Sequence, residues 1–137
     1  MWLYAQISGT LYHRSAPTDK WTIAGMGYAG NGDGINNPLW QGVKNHGPIP
    51  VGKYTIRPYV DKSKGPVVFI LWPDAANQMH GRAGFMIHWD NKLRNWTASE
   101  GCICFGDALP FAALTTHVNA GDNALEVIEQ PPLVAPL

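Results

Sequence analysis

The sequence has 137 residues, of which 45% are hydrophobic and 15% are charged, and its ten basic and ten acidic residues give a formal net charge of zero. With no long basic or acidic run either, nothing in this balance points to nucleic acid or an anionic membrane surface as a partner. No apolar stretch is long enough to cross a bilayer, so no membrane insertion is expected. The composition predicts a single folded domain over residues 1–130, followed by an extended tail over 131–137.

Short β-strands dominate the predicted elements along the chain. Apolar segments rich in β-branched and aromatic residues predict them: Trp2–His13, Trp21–Tyr28, Lys53–Arg57, Val67–Trp72, Phe85–His88, Ile103–Phe105 and Leu125–Ile128. The first segment, with Gly9 inside it, is expected to be a strand or a hairpin, and the last segment is expected to close the sheet. The glycine- and asparagine-rich run over 29–38 predicts a loop without regular structure.

One helix is predicted, over Asp107–Asn119. Asp107 is a suitable N-terminal cap, Pro110 suits the first turn, and Gly121 suits the end. The residues that fall on one face of this helix are Leu109, Ala112, Ala113 and Thr116. The chain is therefore predicted to be mostly β, with one short helix after its cysteines.

The two cysteines, Cys102 and Cys104, are separated by a single residue and cannot close a useful disulfide loop. A chemical role is the better interpretation, and a thiol nucleophile needs a base. His88, at the end of a predicted strand, is a candidate. Gly101 leaves space for a substrate backbone, and an amide at or beside Cys102 would stabilise an oxyanion. Ser99 would orient the imidazole or the loop.

The order of these residues resembles that of the L,D-transpeptidases. His88 precedes the cysteine by thirteen intervening residues, and Ser99–Ile103 reads Ser-Glu-Gly-Cys-Ile, which is similar to their Ser/Thr-x-Gly-Cys motif with its following apolar residue. With Asn36-Asn37-Pro38, Gly47–Tyr54 and Gly81–His88, the chain resembles a divergent branch of that superfamily from about Trp2 to Ile128. This branch comprises the Tlde1-type toxins, which type VI secretion systems deliver into rival bacteria.

The resemblance implies an L,D-transpeptidase-like, mostly antiparallel β-sandwich with the cysteine at a cleft. It implies that Cys102 is the acylated nucleophile, His88 its base, Ser99 a support and Gly101 part of the oxyanion site, with no cofactor or metal. The implied substrate is the peptidoglycan tetrapeptide stem, cut between diaminopimelate and D-alanine. Water or an amine, such as a free D-amino acid, would accept the acyl group.

The resemblance also implies a location and a partner. The first residues, Met1–Gln6, lack the pattern of a signal peptide. We expect a protein that is secreted without one, acts in the periplasm of a target bacterium, and is neutralised by a periplasmic immunity protein in the producing cell.

Three further residues are candidates for substrate binding, each with a structural alternative. His80 would place a second imidazole at the cleft, or serve only its loop. Arg82 would pair with a stem-peptide carboxylate, or be a solvated side chain. Trp89 would wall the cleft, or pack in the core. Cys104 would likewise line the cleft or be a small buried residue.

Two other classes of function remain open at this point. His80, His88, Cys102 and Cys104 provide two imidazoles and two thiols, which are a donor set for tetrahedral zinc. The other class is a module that binds cell-wall peptide without cleaving it.

Overall fold

The computed structural model describes residues 1–60 and 63–132, and their strands form one sheet. The strands are β1 (Trp2–Ala5), β2 (Thr10–His13), β3 (Thr22–Met26), β4 (Tyr28–Ala29), β5 (Gly52–Tyr59), β6 (Val68–Pro73), β7 (Met86–Trp89), β8 (Ile103–Phe105) and β9 (Ala124–Ile128). The one α-helix in these ranges, α1, spans Leu109–Asn119. The mostly β class is thus confirmed. The division into a domain over 1–130 and a tail stays a prediction, and residues 133–137 lie outside the described ranges.

The sheet has the strand order β3-β2-β1-β9-β5-β6-β7-β8-β4. Neighbouring strands are antiparallel except for β1 with β9 and β7 with β8, which are parallel. The two end strands, β3 and β4, are separated in sequence by Gly27 alone, so the sheet curls until its ends nearly meet. The prediction that the last strand closes the sheet is wrong, because β9 lies in the middle, between β1 and β5.

The β1–β2 hairpin and the strand at Tyr54 agree with the sequence patterns. Gly9 has a φ of +66° in the turn between β1 and β2, a conformation that glycine adopts without strain. Tyr54 and Ile56 are both buried on β5, as their alternation predicts. The loop predicted over 29–38 is less irregular than expected, since Ala29 ends β4 and short 3₁₀ turns span Gly32–Gly34 and Pro38–Trp40.

Helix α1 covers the sheet, but with a different face from the one predicted. Its buried residues are Pro110, Phe111, Leu114 and Val118, whereas Leu109 is 76% exposed. The helix begins two residues after Asp107, whose Oδ1 accepts a hydrogen bond from the Leu109 amide at 3.0 Å. The aromatic and proline residues at its start pack against β3 and β8, and this contact overrides the simple periodicity. No helix of the described residues is long and apolar enough to cross a bilayer.

Candidate active site

The parallel pairing of β7 with β8 brings the predicted nucleophile and base to one cleft. Ile87 is paired with Ile103, and His88 with Cys104, while Cys102 immediately precedes β8. Side chains two apart on a strand share a face, so Cys102 and Cys104 follow the same side as His88. His88 and Cys102 both line a cleft of about 450 Å³.

The walls of this cleft are polar and carry more positive than negative charge. Its other lining residues are Asn31, Lys44, Asn45, Lys64, Arg82, Ala83, Gly84, Phe85, Met86, Thr97, Ala98, Ser99 and Glu100. Three cationic side chains therefore face one carboxylate. Such a cleft favours an anionic ligand.

Ser99 shapes the turn that presents the cysteine. It is buried, and its Oγ donates to the Cys102 carbonyl oxygen at 2.6 Å. The Oγ of Ser99 also accepts hydrogen bonds from the amides of Gly30 at 2.9 Å and Gly101 at 3.0 Å. One hydroxyl thus ties β4 to the Ser-Glu-Gly-Cys turn. Because the Gly101 amide is engaged by Ser99, it is not free to stabilise an oxyanion, and Gly101 serves the site through its shape.

Arg82 is buried, and it holds the main chain around the cysteine together. Its Nη1 and Nη2 atoms donate to four carbonyl oxygens at 2.6–3.1 Å, those of Gln41, Gly47, Pro48 and Glu100. The guanidinium also lies over the Phe85 ring, 5.0 Å from its centroid. A bidentate contact with a substrate carboxylate would require Arg82 to release these carbonyls. Arg82 is therefore a positioning residue in this geometry. Its positive charge acts on the cleft, but its Nη donors are occupied by main-chain carbonyls.

The buried segment Gly47–Pro50 forms the wall behind the cysteine turn. The Ile49 amide donates to the Gly101 carbonyl at 2.9 Å, next to the Arg82 bonds. This segment is the Gly-Pro-Ile-Pro motif of the sequence, so the motif serves to build the backbone of the site.

Burial raises the pKa of the Cys102 thiol, because an ionised sulfur would lose its hydration. A backbone hydrogen bond from Met86 opposes this effect, as do the positive charges of Lys64 and Arg82, while Glu100 adds to it. The net effect is a pKa above the ordinary cysteine value. A thiol of this kind needs a base to become a nucleophile.

The orientation of His88 determines which of its two ring nitrogens is basic. It is buried, and its Nδ1 lies 2.8 Å from the Trp89 carbonyl oxygen, which can only accept a hydrogen bond. Nδ1 therefore carries the proton of the neutral ring, and Nε2 is its basic nitrogen.

Cys104 packs against this imidazole and is fully buried. Its Sγ lies 3.4 Å from Nδ1 and 3.5 Å from Nε2 of His88, so it contacts the ring side rather than bonding one nitrogen. Burial strongly raises the pKa of the Cys104 thiol. Cys104 does not line the cleft, and the structural interpretation of this residue agrees with the geometry.

Two of the predicted substrate-binding residues lie outside the cleft. His80 is exposed, with a φ of +56°, and its ring lies beside Gly42. Trp89 stacks on Phe111 with ring centroids 4.6 Å apart and lines an adjacent hollow of about 370 Å³. The predicted positions of both residues at the cleft are therefore not observed.

The zinc set proposed from the sequence does not come together either. Within the described residues, the only group of three or more ligand-type side chains within 4.8 Å of one another is His13, His117 and Asp122. There, Asp122 Oδ2 already pairs with His13 Nε2 at 2.7 Å, and the two imidazoles stack at 4.1 Å. This cluster joins β2 to the end of α1 and shares no residue with the lining of the cleft.

Lys64 is a cleft residue that no sequence motif indicated. It comes from the loop between β5 and β6, and it reaches the cleft because the Trp89 amide donates to the Lys64 carbonyl at 3.2 Å. Lone lysines in loops carry no sequence signal, so only the fold could place it.

The fold and the site together define the class: a mostly β protein in which a cysteine, an imidazole and a Ser-x-Gly-Cys turn lie at one cleft. The chain belongs to the Tlde1 domain family, whose model matches residues 24–129, and the resemblance noted from the sequence is thereby confirmed. No protein with a curated description matches the sequence significantly.

Two solved structures are similar in fold. One is the helical cell shape determining protein Pgp2 from Campylobacter jejuni, with a TM-score of 0.57 and 17% identity, over 98% of this chain and 49% of that one. The other is a point mutant of Pgp2, with a TM-score of 0.51 and 18% identity, over 98% and 48% of the two chains. This chain thus spans about half the length of the structures that it matches.

Proposed function

We propose that this protein is a cysteine acyl-transfer enzyme that acts on peptidoglycan stem peptides, with Cys102 as the nucleophile and His88 as its base. The observation that carries this proposal is the shared cleft of Cys102 and His88, in which the hydrogen bond from Nδ1 to Trp89 leaves Nε2 as the basic nitrogen. Membership of the Tlde1 domain family supports the same reaction class.

The acylation step follows from these roles. Nε2 of His88 takes the proton of the Cys102 thiol as Sγ attacks the carbonyl carbon between diaminopimelate and the terminal D-alanine. The tetrahedral intermediate collapses, the C–N bond breaks, and the imidazolium gives its proton to the leaving amine. The products of this step are free D-alanine and a thioester on Cys102.

The oxyanion of this step needs a hydrogen-bond donor near Cys102. The Gly101 amide is occupied by Ser99, whereas no described loop residue accepts a hydrogen bond from the Cys102 amide. We assign the Cys102 amide as the oxyanion donor. Ser99 and Arg82 hold the turn that fixes its direction.

The thioester is then resolved by water or by an amine. In either case Nε2 takes a proton from the attacking group and returns it to the cysteine sulfur as the C–S bond breaks. Water gives L,D-carboxypeptidase activity, and a free D-amino acid gives exchange of the terminal residue. These steps need no metal or cofactor.

The biological setting is proposed from the family. The protein would act as an antibacterial type VI secretion effector in the periplasm of a target cell, and a periplasmic immunity protein would protect the producer by blocking the cleft. Its net charge of zero fits a protein that does not bind nucleic acid.

Product analysis of defined muropeptides tests the proposal. Diaminopimelate-type tetrapeptide muropeptides are incubated with the protein, with and without a free D-amino acid, and the products are weighed by mass spectrometry. Loss or exchange of the terminal D-alanine, absent in Cys102→Ala, is expected. Unchanged muropeptides with a folded, reduced protein would contradict the proposal. Binding of the same muropeptides without turnover would instead favour a non-catalytic cell-wall module.

A further inference from the structure

The three cations of the cleft differ in their burial and in the contacts that they make. Arg82 has its Nη donors on four main-chain carbonyls, and Lys44 is exposed. Lys64 is half-buried and forms no ion pair with a described residue. Among the three cations of the cleft, Lys64 is thus the half-buried one that forms neither an ion pair nor main-chain hydrogen bonds through its side chain within the described residues.

The main chain of Lys64 is fixed to the strand that carries the base. Its carbonyl accepts from the Trp89 amide at 3.2 Å. The next residue, Gly65, has a φ of +119°, and a Cβ there would lie 2.5 Å from the Trp89 ring. Because the loop lies directly on Trp89, the residue after His88, the position of Lys64 relative to the base is set by packing.

Lys64 lies where two hollows meet. It lines the cleft that holds Cys102 and also the adjacent hollow of Trp89 and Asp90. Only His88 and Ala98 share this property among the lining residues. A ligand that passes from one hollow to the other over the imidazole therefore passes the Lys64 ammonium.

We propose that Lys64 is a specificity-determining residue whose ammonium binds a free carboxylate of the peptide substrate beside Cys102. This inference rests on the proposed function, since it names the group of the substrate that the same site recognises. A substrate carboxylate would add a charge-assisted hydrogen bond to an ammonium that forms no ion pair with a described residue. A peptide with a free C-terminal carboxylate would thus be preferred over the same peptide with a C-terminal amide.

The charges around the sulfur agree with this role. Lys64 lowers the pKa of the Cys102 thiol, as does Arg82, while Glu100 raises it, and His88 and Cys104 follow the same face. Lys64 is thus electrostatically coupled to Cys102, and a carboxylate held at Lys64 would lie in the same cleft as the nucleophile. Removal of Lys64 is expected to shift the ionisation of Cys102 to higher pH.

Binding to a catalytically inert background tests the inference without depending on turnover. In Cys102→Ala, calorimetric titration compares a tetrapeptide stem that ends in a carboxylate with its C-terminal amide. The carboxylate form is expected to bind about 10-fold more tightly, because an uncharged amide cannot form the charge-assisted hydrogen bond with the Lys64 ammonium. Adding Lys64→Met should remove this preference.

Lys92→Met is the matched control, because Lys92 lines only the adjacent hollow and is not among the residues that shift the pKa of the Cys102 thiol. It should leave the preference for the carboxylate unchanged. A second readout needs no substrate. The pH midpoint of Cys102 alkylation by iodoacetamide should rise in Lys64→Met and stay unchanged in Lys92→Met.

The outcomes separate the two proposals. Equal binding of acid and amide in the Cys102→Ala protein, or a preference that survives Lys64→Met, would overturn the role of Lys64. A Lys64-dependent preference for the carboxylate, together with wild-type protein that never cleaves the stem, would support the role of Lys64 and contradict the enzymatic function.

Discussion

Gly101 and Arg82 occupy adjoining space so closely that a Cβ on Gly101 would lie 2.5 Å from Nη2 of Arg82. The same Cβ would lie 2.8 Å from the Phe85 ring, and Gly101 has a φ of +145°. The glycine before the cysteine is therefore required by the packing of the guanidinium as well as by the backbone conformation. In this protein the Ser-x-Gly-Cys motif packs directly against Arg82 and Phe85 of the Gly81–His88 stretch.

Gly101→Ala should destabilise the protein by about 3 kcal/mol, because a strained φ and an overpacked site each cost roughly 1–3 kcal/mol. Gly121→Ala is the control, since Gly121 has a φ of +96° but no atom within 4 Å of an added Cβ. It should cost only about 1 kcal/mol. Urea unfolding of both variants measures the difference, and equal losses would show that Arg82 adjusts freely.

Arg82→Lys should cost about 2–4 kcal/mol although the charge is kept. A lysine ammonium cannot reproduce the planar fork that bonds four carbonyls, and each buried carbonyl left without a donor costs roughly 1–3 kcal/mol. Turnover should fall as well, because the main chain around Cys102 would be less ordered. The free energy of unfolding and the activity of the variant are measured together. Wild-type stability would contradict the role of Arg82 in holding the main chain around the cysteine.

Ser99→Ala should lower the free energy of unfolding by about 2 kcal/mol, because it leaves the Gly30 and Gly101 amides without their acceptor. Ser8→Ala makes the same chemical change at a hydroxyl that is buried without a partner among the described residues. It should be neutral or slightly stabilising. Thermal unfolding of the two variants isolates the contribution of the Ser99 hydrogen bonds to stability. Equal stability changes in both variants would contradict that contribution.

Stability should fall steeply at alkaline pH because of Tyr4 and Cys104. Burial raises the pKa of both groups, so both stay protonated in the folded protein. The unfolded chain loses these protons above their ordinary pKa values of about 10 and 8.5. The stabilising contribution is therefore complete below about pH 8 and is lost by roughly 1.4 kcal/mol per pH unit for each group above its ordinary pKa.

Tyr4→Phe tests this linkage, since the Tyr4 hydroxyl has no hydrogen-bond partner among the described residues. The variant should be at least as stable as the wild type near neutral pH and should lose stability less steeply above pH 10. Unfolding curves from pH 7 to 11 provide the comparison, and parallel curves for the two proteins would contradict it.

The sequence predicted most of the elements and the central pair of the site. Local patterns sufficed for β6, β7 and β8 and indicated β-structure on both sides of Gly9, because alternation and β-branched residues act over a few positions. The Ser-Glu-Gly-Cys motif was informative because its serine hydroxyl bonds two residues of the same turn, Gly101 and Cys102, and Gly30, which directly follows β4.

The remainder depended on contacts between distant segments. The parallel pairings of β9 with β1 and of β8 with β7 carry no local signal, so the position of β9 in the middle of the sheet was not predicted. The same limit applies to side chains. Arg82 reaches carbonyls more than thirty residues away in the chain, and Lys64 enters the cleft through a loop whose position is set by Trp89.

Trapping the acyl-enzyme tests the central claim most directly. The reduced protein is mixed with a diaminopimelate tetrapeptide, quenched in acid within seconds, and weighed intact by mass spectrometry. The account predicts an adduct with the mass of the tetrapeptide minus D-alanine, reversed by hydroxylamine, still formed in Cys104→Ala, and absent in Cys102→Ala and strongly reduced in His88→Ala. Release of D-alanine by Cys102→Ala at the wild-type rate, or an adduct that requires Cys104, would contradict it.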